Sequence, residues 1–114
     1  MDPALKKLGE FGLIQKLIQK IPNLPPKRWP AGIGDDTSVL KVSDHHFQLL
    51  THDLLLEGSH FLTPPPQGFS DLGWKALVVN LSDIAAMGGV PQEAVVGLGI
   101  PAKAKLKEIE SLYR

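Results

Sequence analysis

Gly32-Ile33-Gly34-Asp35-Asp36-Thr37-Ser38-Val39-Leu40 is the stretch from which the rest of the chain can be ordered. Two glycines lead into two adjacent carboxylates, and a short apolar run follows. Gly34 tolerates a positive φ, so the chain can turn sharply there without a Cβ clash. Asp35 and Asp36 repel each other unless a cation sits near or one of them faces water. A turn that delivers carboxylate oxygens beside the start of a strand is one way to hold Mg²⁺ on a phosphate substrate. A solvated Asp-Asp turn between loop and strand is the other reading, and the stretch alone leaves both open.

The surrounding composition narrows the field. With 114 residues the chain suffices for one small domain with a single core. Twelve basic and 12 acidic residues cancel to a formal charge of zero, which argues against a general binder of nucleic acid or anionic membranes. Cysteine is absent, so disulfides and thiolate zinc sites are excluded. No apolar run reaches the length of a membrane span, and residues 1–9 lack a signal-like apolar core. The expectation is a cytoplasmic protein with no nucleic-acid or membrane partner.

Outward from the Gly-Asp-Asp turn, the N-terminal side carries a helical period over residues 10–21. Phe11, Ile14, Leu17, Ile18 and Ile21 share one face, and Pro22 ends the pattern. Residues 22–31, with four prolines, are an extended connector in which Trp29 packs at an edge. This divides the chain into an N-terminal helix with connector, 1–31, and a domain over 32–114. Beyond the turn, residues 37–42 and 47–52 read as two strands of a hairpin around Ser43-Asp44-His45-His46. Pro64-Pro65-Pro66 is a stiff surface passage. Residues 70–87 form a second helix with Ser70 as N-cap and Gly88-Gly89 as its stop. That helix is apolar nearly all round, from Trp74 to Met87, and is therefore expected to be buried on most sides. Residues 93–100 read as a further strand, carried by Val95, Val96, Leu98 and Ile100. A last amphipathic helix starts near Lys103 and runs into Arg114 with no stop signal, so we expect a longer parent protein.

Asp83 carries the most chemical information. It lies in Asn80-Leu81-Ser82-Asp83, within the apolar helix, and an ionised carboxylate there is costly unless paired or bound to metal. No Lys or Arg stands three or four positions away; Lys75 is two turns back. Asn80 offers a neighbouring oxygen. A wet edge or a loop-capping role is the competing reading for Asp83. Asp53 follows the apolar strand at its C-terminal end, after Thr51 and His52, where α/β architectures place ligand groups. Asp36, Asp53 and Asp83 thus come from three separate elements, and hard oxygens with no Cys suit Mg²⁺. His45 and His46 sit in a turn and read as solvated. His52 reads as structural. His60, on the loop after Glu57-Gly58-Ser59, is the better candidate for contacting a phosphate or a ring. No P-loop, dinucleotide fingerprint or Gly-x-Ser-x-Gly elbow is present, and no nucleophile–base pair stands out.

Five pieces occur in order: Gly9-Glu10-Phe11-Gly12-Leu13-Ile14; Gly32-Ile33-Gly34-Asp35-Asp36; Thr51-His52-Asp53 with Glu57-Gly58-Ser59-His60-Phe61; Lys75-Ala76-Leu77; and Asn80-Leu81-Ser82-Asp83-Ile84-Ala85-Ala86-Met87-Gly88. Together they resemble the N-terminal domain of the thiamine-monophosphate kinases, in the superfamily of aminoimidazole ribonucleotide synthetase. The turn and the last piece are shared more widely, with selenophosphate synthetase and related ATP-using enzymes.

The resemblance implies a mixed α+β fold, with helices on one face of a mixed sheet that pairs into a barrel across a homodimer. It implies ATP-dependent phosphorylation of thiamine phosphate to thiamine diphosphate, with several Mg²⁺ ions between nucleotide and substrate. Asp36, Thr51, Asp53 and Asp83 match metal ligands, with Asp35 as a further candidate. His60 matches a substrate contact and Tyr113 a nucleotide contact. Members carry Ser or Thr in place of His52; imidazole is a softer ligand, so a metal contact at 52 stays open. Direct in-line phosphoryl transfer needs little side-chain acid–base chemistry. The family's second domain is missing, so these residues alone are expected not to turn over. The competing readings are another ATP-using enzyme of the superfamily and a non-catalytic dimerisation module.

Overall fold

A computed structural model describes all residues from Met1 to Arg114. Three helices and one two-stranded sheet make up a mixed α+β chain: α1 (Pro3–Ile18), β1 (Ser38–Lys41), β2 (Phe47–Leu50), α2 (Phe69–Ala86) and α3 (Leu106–Leu112). The chain divides into two units, Met1–Gln48 and Leu49–Arg114.

In the first unit, α1 starts well before the expected residue 10. Asp2 caps it, accepting the Ala4 amide at 2.6 Å on its Oδ1, and Pro3 takes the first helical position, where its missing N–H costs nothing. At Gly9 the backbone leaves helical geometry, so α1 is two helical segments joined at a kink. The second segment matches the expected helix but stops at Ile18. Its end tightens into i→i+3 bonds, Lys20 to Leu17 and Ile21 to Ile18, because Pro22 disfavours helical geometry at the residue before it. The apolar face is uncovered, with Phe11 82% exposed. In the connector, Arg28 and Trp29 turn back onto the Pro25 carbonyl, and the Arg28 carbonyl accepts the Lys41 amide at 2.9 Å. Trp29 is half-buried.

The hairpin forms as expected, with β1 and β2 paired and the loop closed by Val42 and Ser43 amides on the His46 carbonyl. Both strands are shorter than expected, ending at Lys41 and Leu50. Val39 of β1 is the only buried hydrophobic residue.

In the second unit, α2 begins at Phe69 with Gly68 as its cap and no side-chain cap bond, so Ser70 is inside the helix rather than at its N-cap. Its far end is a Schellman closure: Gly88 N–H donates to Ala85 at 3.0 Å and Gly89 N–H to Ile84 at 2.9 Å. Gly88 supplies the required φ of +68°. Gly89 lies tight against β2, since a Cβ there would come within 2.5 Å of the Leu49 side chain. α2 packs on α3, and at Gly73 an added Cβ would run into the Leu112 carbonyl. The expectation that α2 is buried on most sides is not met. None of its residues is buried, and Trp74 is 68% exposed. Periodicity reports what an apolar helix can cover, and here α3 is the one helix packed on it.

The expected strand at 93–100 is absent. The segment is exposed throughout and no backbone N–H from 90 to 100 donates to another backbone group. A strand exists only through its partner, and no partner strand lies beside this one. α3 starts at Leu106, three residues after the expected point, where the Lys105 amide donates to Glu108 Oε2 at 2.9 Å.

Candidate functional site

The Gly-Asp-Asp turn belongs to the first unit. Gly32 and Gly34 take φ of +67° and +124°, as a sharp turn requires. The Asp36 amide donates to Asp35 Oδ1 at 3.0 Å, so the first carboxylate braces the turn from within. Its partner carboxylate, on Asp36, is exposed and makes no hydrogen bond. The next residue, Thr37, is 4% exposed, and its Oγ1 has no hydrogen-bond partner. Sequence reading treated Thr37 as an ordinary strand residue.

The second unit holds the other candidate ligands. Thr51 directly follows β2, and its hydroxyl donates to Asp83 Oδ2 at 2.7 Å in a part-buried setting. This bond spans 32 positions and ties the end of the strand to α2. It answers how Asp83 is tolerated in an apolar helix: a charge-assisted hydrogen bond replaces part of its lost hydration. Asn80, one turn earlier, gives its amide hydrogens to the Ala76 carbonyl at 3.0 Å, which leaves its oxygen unused within the helix. His52 and Asp53 are exposed and form no hydrogen bond through their side chains. Tyr113, the residue that caps α3, is 65% exposed.

His60 is held more firmly than its exposure implies. The loop folds on itself, with the His60 amide on the Leu56 carbonyl at 2.8 Å and the Gly58 amide on the Phe61 carbonyl at 2.7 Å. The Leu56 amide in turn donates to His60 Nδ1 at 2.9 Å. An amide can only donate, so Nδ1 must be bare and the neutral ring carries its hydrogen on Nε2. The outer nitrogen is therefore a donor, suited to an acceptor such as a phosphate oxygen. Lys75 of α2 gives its ammonium to the His60 carbonyl at 2.6 Å. The sequence places Lys75 in the Lys75-Ala76-Leu77 piece and two turns from Asp83 without giving it a role; a lone cation in an 18-residue apolar helix is the available signal.

Of the candidate metal ligands, the structure brings together Thr51 and Asp83. No three His, Asp or Glu side chains gather into a group able to hold a metal ion. The donors present are hydroxyl and carboxylate oxygens, a chemistry that fits Mg²⁺ and disfavours thiolate-seeking metals. His45 makes no side-chain bond, and His46 pairs Nδ1 with Ser43 Oγ at 3.0 Å across the hairpin turn.

Residues 34–114 match the family model described as AIR synthase related protein, N-terminal domain. Among curated proteins, the chain is 43% identical to the thiamine-monophosphate kinase of Aquifex aeolicus, over 96% of this chain and 32% of that protein. It is 34% identical to the thiamine-monophosphate kinase of Synechococcus elongatus, over 99% of this chain and 32% of that protein. Identity to the Bacillus subtilis enzyme of the same name is 34%, over 93% of this chain and 32% of that protein. The chain thus spans about a third of the length of the curated relatives it matches. No solved structure matches it.

Proposed function

The chain belongs to the AIR synthase related proteins, as their N-terminal domain, and from that premise we propose that it serves the ATP-dependent phosphorylation of thiamine phosphate to thiamine diphosphate. The observation that carries this reading is the similarity to thiamine-monophosphate kinases along almost the whole chain, which includes every candidate ligand. The Thr51–Asp83 pair supports it, because two hard-oxygen donors already meet at the end of a strand.

In this reading Asp36, Thr51, Asp53 and Asp83 hold Mg²⁺ ions, with Asp35 and His52 as outlying candidates. The ions, when bound, screen the negative charge of the two phosphate partners. The chain's own work is to position. The Thr51 hydroxyl orients the Asp83 carboxylate, His60 offers its Nε2–H to the substrate phosphate, and Tyr113 contacts the nucleotide. The partner of the chain is a second copy of itself, and the protein works in the cytoplasm. No helix is long and apolar enough to cross a membrane. The exposed valines at 95 and 96, on a segment with free backbone groups, are suited to sheet pairing across such a dimer.

The test uses the full natural polypeptide with ATP, Mg²⁺ and thiamine phosphate. Thiamine diphosphate is expected to form, and Asp83→Asn to lower kcat/KM by about a hundredfold, the scale of losing a charged contact to the bound ions. ADP release with selenide or formylglycinamidine ribonucleotide, and none with thiamine phosphate, would instead favour another member of the superfamily. Sedimentation as a monomer at high concentration would remove the dimer.

A further inference from the structure

We propose that Lys75 is the positioning residue of the substrate loop: by holding the main chain of His60 against α2, it fixes where the His60 ring presents its Nε2–H. The proposal rests on the reading of His60 as the thiamine phosphate contact. It concerns a residue that makes no claim on the metal ions.

Residues 56–61 form a closed knot. The His60 and Ser59 amides return to the Leu56 carbonyl, Gly58 returns to Phe61, and the Leu56 amide reaches the His60 ring. Each of these bonds stays inside the loop. They fix the shape of the loop and the tautomer of the ring, but not the place of the knot on the domain. One hydrogen bond ties the knot to α2, from Lys75 Nζ to the His60 carbonyl at 2.6 Å. It acts on the same residue whose ring faces outward. α2 is a regular 18-residue helix, so Lys75 is a better anchor than a side chain on a loop. Lys75 is also the only cation of α2. The Lys75 ammonium of α2 and the ring N–H of His60, brought together at one loop residue, suit an anionic, phosphate-bearing ligand.

The test takes the full natural polypeptide with Lys75→Met, which keeps the stem and removes the charge, and Lys75→Arg, which restores a donor. Lys75→Met is expected to raise KM for thiamine phosphate roughly five- to tenfold, the lower range for losing a charged hydrogen bond at an exposed site. KM for ATP is expected to stay within about twofold, and Lys75→Arg to recover most of the loss. In parallel, nitrogen-15 correlation spectra of the imidazole are expected to show the Nε2–H form in both proteins, since the Leu56 amide still holds Nδ1, with a sharp signal in the parent and an exchange-broadened one in Lys75→Met, where the loop is no longer tied to α2. An unchanged KM for thiamine phosphate, or an equal rise in both KM values, overturns the proposal. So does a His60 ring signal that keeps its shift and line width in Lys75→Met. If His60→Ala leaves KM for thiamine phosphate unchanged, the substrate reading of His60 fails instead, while the spectra still decide whether Lys75 holds the ring. Lys75→Gln, expected at about half the effect, takes the place of the methionine variant if that one does not fold.

Discussion

Replacing Thr51 with valine removes one hydroxyl and nearly nothing else, so it isolates the bond to Asp83. Hydrogen bonds to charged groups contribute about 1.5–3 kcal/mol when buried. This one is 2.7 Å long but only part-buried, and water recovers some of the loss. A cost of about 1–1.5 kcal/mol follows. With a urea slope of about 1 kcal/mol per molar for a small protein, the midpoint should fall by about 1–1.5 M. Asp83→Asn keeps an acceptor oxygen and loses the charge, so it should cost about half as much in Mg²⁺-free buffer. The double variant should show coupling of about 0.5 kcal/mol, because Asp83→Asn weakens the same bond that Thr51→Val removes. Adding Mg²⁺ at ten times its dissociation constant should stabilise the parent by about 1.4 kcal/mol and neither variant. Equal midpoints for the parent and Thr51→Val, or strictly additive effects, would refute the pairing. A gain from Mg²⁺ that survives both substitutions would refute the metal role while leaving the hydrogen bond in place.

Gly73→Ala should be the most damaging glycine change. Its Cβ would enter the Leu112 carbonyl, so α3 must move off α2, and far-ultraviolet dichroism and urea midpoints should both fall. Gly88→Ala meets open space but needs a positive φ, and should cost about 1 kcal/mol by the same urea measurement. Asp2→Ala removes the cap on Ala4 and should cost about 1 kcal/mol locally, read as faster amide exchange at residues 4–8 with no change in α2.

What the sequence made legible was local. The Gly34 turn, the hairpin around His46 and the Gly88-Gly89 stop each depend on a few adjacent residues, and each stands where expected. The Asp2-Pro3 start of α1 is equally local, since a cap followed by proline is a standard start signal, and it lies upstream of the expected residue 10. Contacts between distant positions were not legible. Asp83 was correctly singled out as needing a partner, but nothing near it in sequence names Thr51, 32 residues away. Nor does anything near Lys75 in sequence name His60, 15 residues away. The segment 93–100 shows the limit from the other side. Its composition favours a strand, yet strand formation is settled by whatever lies alongside, and the pattern carries no information about that.

That segment has a practical side. Eight residues in a row keep their main-chain donors and acceptors free for any passing chain, and Val95 at 99% exposure gives such a chain something greasy to grip. Such a surface is a nucleus for clumping from the moment it leaves the ribosome until something shields it. Anyone producing these residues by themselves should expect precipitation to set the working concentration. A lysine in place of Val95 should raise that ceiling without touching any hydrogen bond in the molecule.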